Sequence, residues 1–260
     1  MRRKILSQRH DKIIALLADA GVLSAHQLSQ QLGVSVQTIR TDLRDLDAAA
    51  LVQRKNGAVR LRNLENIAYA PRLDASSSEK KRIAVAIASL IGDGARIALG
   101  TGTTVEHCAR ELAGLQDLFV VTNSIHAVMA LQHAPRAVIE LAGGTVRLRD
   151  LDVINTTVRD FFAGFRMDYA IFSCGGLSKS GDIVDYNSDE ITARTSVSDC
   201  AKQKILVVDS AKYGRDLPCV MHQIWDYDVV VTEAELSKEI RQKCRQAGCR
   251  IIVPEQHWLR

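Results

Sequence analysis

Gln37, Arg40, Thr41 and Arg44 recur at offsets 0, 3, 4 and 7, which on an α-helix gathers an amide, a hydroxyl and two guanidinium groups on one face. Those groups match the hydrogen-bonding edges of bases in a DNA major groove, and the arginines match phosphate as well. Val36, Ile39, Leu43 and Leu46 recur at 0, 3, 7 and 10 and form an apolar stripe on the other side. A helix that packs by one face and offers Gln, Thr and Arg on the other suits DNA reading. With Ser35 at its start and Thr38 beside it, the candidate DNA-contacting set is Ser35, Gln37, Thr38, Arg40, Thr41 and Arg44.

The flanking sequence supplies what must hold that helix. A first helix is expected over 8–20, ended by Gly21, and Ser24 caps a second helix with Gln27 completing a capping box. Gly33 makes the turn into the third helix, which Ser35 caps. Residues 51–61 read as two short strands around Asn56-Gly57, a hairpin signal, and a hairpin after a recognition helix is the wing of a winged helix-turn-helix. Arg54 and Lys55 on that wing, with Arg60, can touch phosphate or the minor groove; the alternative is a hairpin with solvated charges. Residues 1–62 hold 11 Lys/Arg against 5 Asp/Glu, whereas 63–260 hold 23 against 25. The basic excess sits where phosphate attraction needs it.

A second chemistry begins at Gly100-Thr101-Gly102-Thr103-Thr104, which follows an expected strand and opens an expected helix. Glycine lets a ligand approach the backbone, free amides at a helix start favour an anion, and three hydroxyls add donors. No lysine follows at P-loop spacing. Other loops also leave expected strand ends: Thr122-Asn123-Ser124, Gly143-Gly144 with Arg147 behind, Cys174-Gly175-Gly176, and Asp209-Ser-Ala-Lys212. Ligands of parallel α/β sheets bind at the carboxyl ends of strands, so these loops form one crevice suited to a phosphorylated sugar or polyol. Asn123 has a second reading as a helix cap, and Lys212 one as a solvated loop lysine. Asp185, Asp189 and Glu190 either bind sugar hydroxyls or are surface charge.

The elements behind these loops alternate. Strands are expected at 95–99, 118–122, 137–141, 169–173, 204–208, 229–231 and 250–253, and helices at 79–91, 103–113, 124–132, 189–201 and 235–247. The pattern is that of an α/β domain with a mainly parallel sheet. The expected organisation is a DNA-binding domain at 1–62, a linker at 63–78 around Pro71 and Ser76–Ser78, and an effector-binding and oligomerisation domain at 79–260.

The 260 residues contain no apolar run long enough for a membrane span and no signal core after the basic start, so a cytoplasmic protein is expected. Six scattered cysteines include no Cys-x-x-Cys pair; they read as reduced, mostly buried thiols, and no metal or cofactor is expected.

Residues 8–62 resemble the DeoR family of bacterial transcriptional repressors, at Arg9-His10, Leu28, Val34-Ser35, Thr38-Ile39-Arg40, Asp42-Leu43, Leu46, Leu51, Arg54 and Gly57-Ala58. The second half matches at Lys81-Arg-Ile-Ala84, Gly102-Thr-Thr104, Val121-Thr-Asn123, Gly143-Gly144, Arg147, Asp168 and Asp209-x-x-Lys212. Within the family the chain looks most like the glycerol-3-phosphate-repressor-like branch. It departs at Arg40-Thr41, where two arginines are usual, at the wing Lys55-Asn56-Gly57-Ala58, at Gly100, where an acidic residue is common, and at Asn155, where glycine is usual. The second half also resembles ribose-5-phosphate isomerase, whose phosphate loop is similar to Gly100–Thr104. That enzyme's two aspartates fall on Ser173-Cys174-Gly175-Gly176, which has no carboxylate to act as a base. The resemblance implies a DNA-binding repressor of a carbohydrate-catabolism operon. It would bind an operator as a homodimer or homotetramer and be released by a phosphorylated sugar or polyol. An isomerase-like enzyme with a DNA-binding appendage is the alternative.

Overall fold

A computed structural model of the chain describes residues 8–48, 52–55, 57–61, 69–154 and 156–254. Contacts divide the chain into two compact units, Met1–Ser77 and Ser78–Arg260. Asn56, Asn155 and residues 63–68 of the expected linker lie outside the described residues.

The first unit runs α1 (Gln8–Ala20), β1 (Val22–Ser24), α2 (Ala25–Leu32), α3 (Val36–Ala48), β2 (Val52–Lys55), β3 (Ala58–Leu61) and α4 (Tyr69–Asp74). Ile39, Leu43 and Leu46 of the apolar stripe on α3 are at most 1% exposed and join Ile13, Leu17 and Leu28 in one core. The hairpin register places Lys55 opposite Ala58, as the hairpin signal suggested. The wing has a third strand, because β1 pairs antiparallel with β3. Its three residues, one of them the exposed Val22, are too few to show an alternating pattern. The segment expected as linker is helical in its second half: α4 contacts α1, and α5 starts at Ser77. Tyr69, at the start of α4, is 7% exposed.

The second unit opens with α5 (Ser77–Ala88) and continues β4 (Arg96–Leu99), α6 (Thr103–Leu112), β5 (Phe119–Thr122), α7 (Ile125–Leu131) and β6 (Val138–Leu141). It then runs α8 (Thr156–Ala163), β7 (Met167–Phe172), β8 (Gly176–Leu177), β9 (Asp182–Asp185), α9 (Ser188–Asp199) and β10 (Ala201–Val208). The last elements are β11 (Cys219–Gln223), β12 (Val229–Thr232), α10 (Lys238–Ala247) and β13 (Arg250–Ile252). Seven strands form one sheet in the order β13-β12-β10-β7-β4-β5-β6, and every pairing in it is parallel. All seven expected strands are present. Their residues alternate between two cores: Ile97 and Leu99 pack on one face and Ala98 on the other; Val207 and Val208 divide the same way. A small antiparallel sheet, β11-β9-β8, sits after β7.

Ligands of open parallel sheets bind where the strand order reverses. From β4 the chain builds outward through β5 and β6, then returns to place β7 on the other side of β4. The order reverses between β4 and β7, so the crevice at their carboxyl ends is the switch point of the sheet. Gly100 leaves β4 there, its amide donating to the Ile171 carbonyl at 3.0 Å, and Ser173 leaves β7 there.

Candidate functional site

In the first unit the capping pattern builds α2 and α3 as expected. Ser24 Oγ accepts from the Gln27 amide at 3.2 Å, and Gln27 Oε1 accepts from the Ser24 amide at 2.8 Å. Gly33 turns the chain with φ 65°, a left-handed conformation that a side chain would strain. Ser35 Oγ accepts from the Thr38 amide at 3.1 Å and lies 2.8 Å from Thr38 Oγ1, so these two residues cap α3 as well as facing outward. Gln37, Arg40, Thr41 and Arg44 are all exposed. Thr41 Oγ1 donates back to the Gln37 carbonyl at 3.2 Å.

The wing places Arg54, exposed, across from α3; with His26 and Arg40 it lines a groove of about 650 Å³. Lys55 closes β2. Behind α3, Asp42 is 4% exposed and takes both oxygens to α1: Arg9 donates at 2.6 and 2.9 Å, and His10 Nε2 lies at 3.2 Å. The Arg9 hydrogen bonds and charge hold the Asp42 carboxyl below its ordinary pKa. This brace fixes α3 from the side that carries no reading residue.

In the second unit the crevice is lined by buried polar groups. Gly102 is the N-cap of α6 and has no side chain to occupy the first-turn amides, so the helix start is free to meet an anion. Thr101, Thr103 and Thr104 are buried around it. Thr104 Oγ1 donates to Asp209 Oδ2 at 3.3 Å, and Lys212 Nζ stands 3.5 Å from Thr104 Oγ1, 3.6 Å from Asp209 Oδ2 and 2.8 Å from Ser173 Oγ. Burial opposes the charge on Asp209. Lys212, Lys80 and Arg215 outweigh that burial and hold its pKa low. Lys212, Lys80 and Arg215 thus act on Asp209 beside a helix N-terminus, an arrangement that also suits an added anion.

A relay of buried ion pairs continues from Ser173. Arg194 Nη1 donates to the Ser173 carbonyl at 2.9 Å, its Nε to Asp185 at 2.5 Å and its Nη2 to Glu190 at 3.1 Å. Glu190 also takes Arg147 Nη1 at 2.5 Å, and Arg147 grips Asp152 with Nε and Nη2 at 2.9 and 2.8 Å. Gly175 belongs to this relay through its backbone. Its amide donates to Asp185 Oδ2 at 3.0 Å, and a Cβ there would lie 2.7 Å from Asp185 Oδ1.

The expected residues thus divide. Gly100–Thr104, Gly175 and Lys212 converge on the switch point, and Arg147 joins them through the relay, its fork filled by carboxylates. Thr122, Asn123 and Ser124 are buried after β5, where the first and last build the turn. Thr122 Oγ1 accepts from the Ser124 amide at 3.1 Å, and Ser124 Oγ accepts from the Ala127 amide at 3.2 Å. Ser124 is therefore the cap of α7. Asn123 Nδ2 donates to the Val153 carbonyl at 2.7 Å, and its buried Oδ1 has no hydrogen bond. Gly143 and Gly144 are exposed after the edge strand β6, with the Gly143 carbonyl accepting from Thr157 Oγ1 at 3.1 Å. Asp185 and Glu190 are buried and Asp189 is exposed.

Two residues escaped the sequence reading. Lys80, 3% exposed, shares the 0, 3, 4, 7 stripe of Ile83, Ala84 and Ile87, which marks a lysine on a buried face. Arg194 stands four residues after Glu190, a spacing that signals a helical ion pair. Among the described residues no cluster of metal-ligand type is present, the six cysteines are free, and no helix is long and apolar enough to cross a membrane.

Comparison with known proteins supplies the family. Residues 9–64 match the DeoR-like helix-turn-helix domain, and residues 75–234 match the DeoR C-terminal sensor domain. The chain is 31% identical over 249 residues to the HTH-type transcriptional repressor CsqR of Escherichia coli (strain K12), covering 95% of each protein. It is 33% identical over 227 residues to the glycerol-3-phosphate regulon repressor of Haemophilus influenzae, covering 87% of this chain and 89% of that one. Among solved structures, ribose 5-phosphate isomerase A from Methanocaldococcus jannaschii aligns with 53% of this chain and 55% of its own, at 20% identity and a TM-score of 0.39. With both of its domains matched and relatives of this similarity along nearly its whole length, the chain belongs to the DeoR family, as a DNA-binding transcriptional repressor rather than an enzyme.

Proposed function

We propose that this repressor controls a carbohydrate-catabolism operon and leaves its operator when a phosphorylated sugar or polyol enters the β4–β7 crevice. Gln37, Thr38, Arg40, Thr41 and Arg44 read bases and phosphates, Ser35 positions the helix start, and Arg54 and Lys55 add backbone contacts from the wing. The observation that carries the effector class is the charge at the switch point: Lys212, Lys80 and Arg215 act on the single carboxylate of Asp209, next to the uncapped amides of α6. The phosphate takes Lys212 and the amides of Gly102–Thr104. The hydroxyls of the effector meet the loops after β5, β6 and β7, where Asn123 Oδ1 offers a buried acceptor. Relatives named for a glycerol-3-phosphate regulon agree with that class. A homodimer or homotetramer acting in the cytoplasm fits paired half-sites, since linking two modest DNA contacts raises affinity by mass action.

The test is a thermal-shift series on the full chain with glycerol 3-phosphate, ribose 5-phosphate, fructose 6-phosphate and inorganic phosphate. A binder at about 100 times its Kd stabilises the fold by about 2.7 kcal/mol. The reading requires a sugar or polyol phosphate to raise the midpoint more than inorganic phosphate does. An unmoved midpoint across the series would remove the effector assignment.

A further inference from the structure

Between α4 and α5 only Ala75 and Ser76 intervene. The helix packed on α1 in the first unit is therefore joined almost directly to the first helix of the second. The start of α5 is tied to the crevice by side chains that the effector reading does not use. Glu79 Oε1 accepts from Ser210 Oγ at 3.3 Å, and Ser210 lies between Asp209 and Lys212 on the loop after β10. Arg82 Nε donates to Glu233 Oε1 at 2.5 Å, on the segment after β12. Lys80, between them, is buried and its charge acts on Asp209. Ile83, Ala84 and Ile87 already seat the helix by apolar contact. The two polar straps add a connection to loops at the carboxyl edge of the sheet.

We propose that Glu79 and Arg82 are positioning residues for regulation: through Ser210 and Glu233 they pass the occupancy of the anion crevice to α5, and through Ala75-Ser76 to the DNA-reading unit. The inference rests on the reading of that crevice as the effector site. An anion on Lys212 draws the ammonium away from Asp209, now 3.6 Å from it, and the loop that carries Asp209 adjusts. Ser210 follows its neighbour and shifts the Glu79 strap. Coupling of this kind is reciprocal, so operator DNA must weaken effector binding by the same factor.

The experiment uses the full chain and an operator duplex selected from a random pool by the wild-type protein. The probe is whichever of glycerol 3-phosphate, ribose 5-phosphate and fructose 6-phosphate stabilises the wild type most. At saturation it should weaken wild-type duplex binding by about 5–150-fold, the usual range of allosteric coupling. The E79Q/R82Q double variant should bind probe and free duplex within about threefold of wild type, yet show a probe effect on duplex affinity below about twofold. Hydrogen exchange across Ser77–Ala88 should respond to probe in wild type and not in the variant. S210A removes one hydroxyl from the other end of the strap and should lose part of the coupling, which guards against a folding defect in the double variant. Full release of DNA by both variants overturns the proposal while leaving the effector site standing. A wild type that none of the probes stabilises overturns the effector site and this proposal with it.

Discussion

The reading face of α3 and the β4–β7 crevice are both polar, and they are polar in opposite ways. On α3, Gln37, Arg40, Thr41 and Arg44 are exposed; apart from the Thr41 hydroxyl's bond to the Gln37 carbonyl, the contacts described for that helix are made by other residues, Asp42 above all. In the crevice the polar groups are buried or half-buried and largely engaged with one another, from Thr104 through Asp209 and Lys212 to Arg194, Glu190 and Arg147. An open face suits a large partner whose sequence is to be sampled, because exposed side chains can move onto base edges without breaking a buried network. A closed network suits a small ligand, because buried charges are strong only when their geometry is held. Substitutions should therefore separate cleanly: those on α3 should change DNA binding with little effect on stability, and those in the relay should change stability first.

The largest expected effect lies in the relay. Replacing Arg194 by Met leaves Asp185 and Glu190 without their shared cation, and breaking a buried ion pair in this way costs about 3–5 kcal/mol. Thermal or denaturant unfolding of the second unit reads it directly. A variant as stable as wild type would show that the relay is less buried in solution than its contacts indicate. Next come R40A and R44A. Each should reduce operator affinity by about 5–150-fold, the range for one bidentate base contact. Anisotropy titration measures the loss, and the unfolding midpoint should stay where it is. If either arginine contacts phosphate instead, the salt slope falls by about 1 and all sequences weaken alike.

A smaller effect sharpens the contrast from the other side. Asp42 is a buried carboxylate bracing α3, and Arg9 holds its pKa below the ordinary 3.8. A depressed folded pKa contributes stability that is present above the unfolded value and is lost as pH falls through the folded one. Amide protection along α3, measured relative to intrinsic exchange, should therefore fall as the pH is lowered below about 4, and D42N should be weaker at neutral pH but flatter across the same range. Equal acid sensitivity in the variant would assign the effect to other carboxylates.

The two regions also differed in how far the sequence revealed them. The α3 face was legible because one helix carries both of its stripes, so periodicity alone sorts Ile39 and Leu43 from Arg40 and Arg44. The seven sheet strands were legible because each is a short apolar run between turns. β1 and β8 were not, having three and two residues, too short for any pattern. The crevice was half legible. Its loops follow strand ends, which the sequence marks, but their side-chain roles depend on partners far along the chain. Arg147 reads as an anion contact from its position, yet it meets Glu190, 43 residues away. Asn123 had a second reading as a helix cap, but local geometry gives the α7 cap to Ser124. Lys80 carried a periodic signal inside a segment that resembled an ordinary charged helix.

The central claim is that an anion site at Lys212 controls an open DNA-reading face. The most direct measurement is operator affinity with and without a sugar phosphate, on wild type and on K212M. Wild type should lose operator affinity when the sugar phosphate saturates it. K212M should bind the operator as wild type does and be released only at much higher concentration, since losing one charge-assisted hydrogen bond costs about 1.5–3 kcal/mol of ligand binding. Release of K212M at the wild-type concentration would contradict the account.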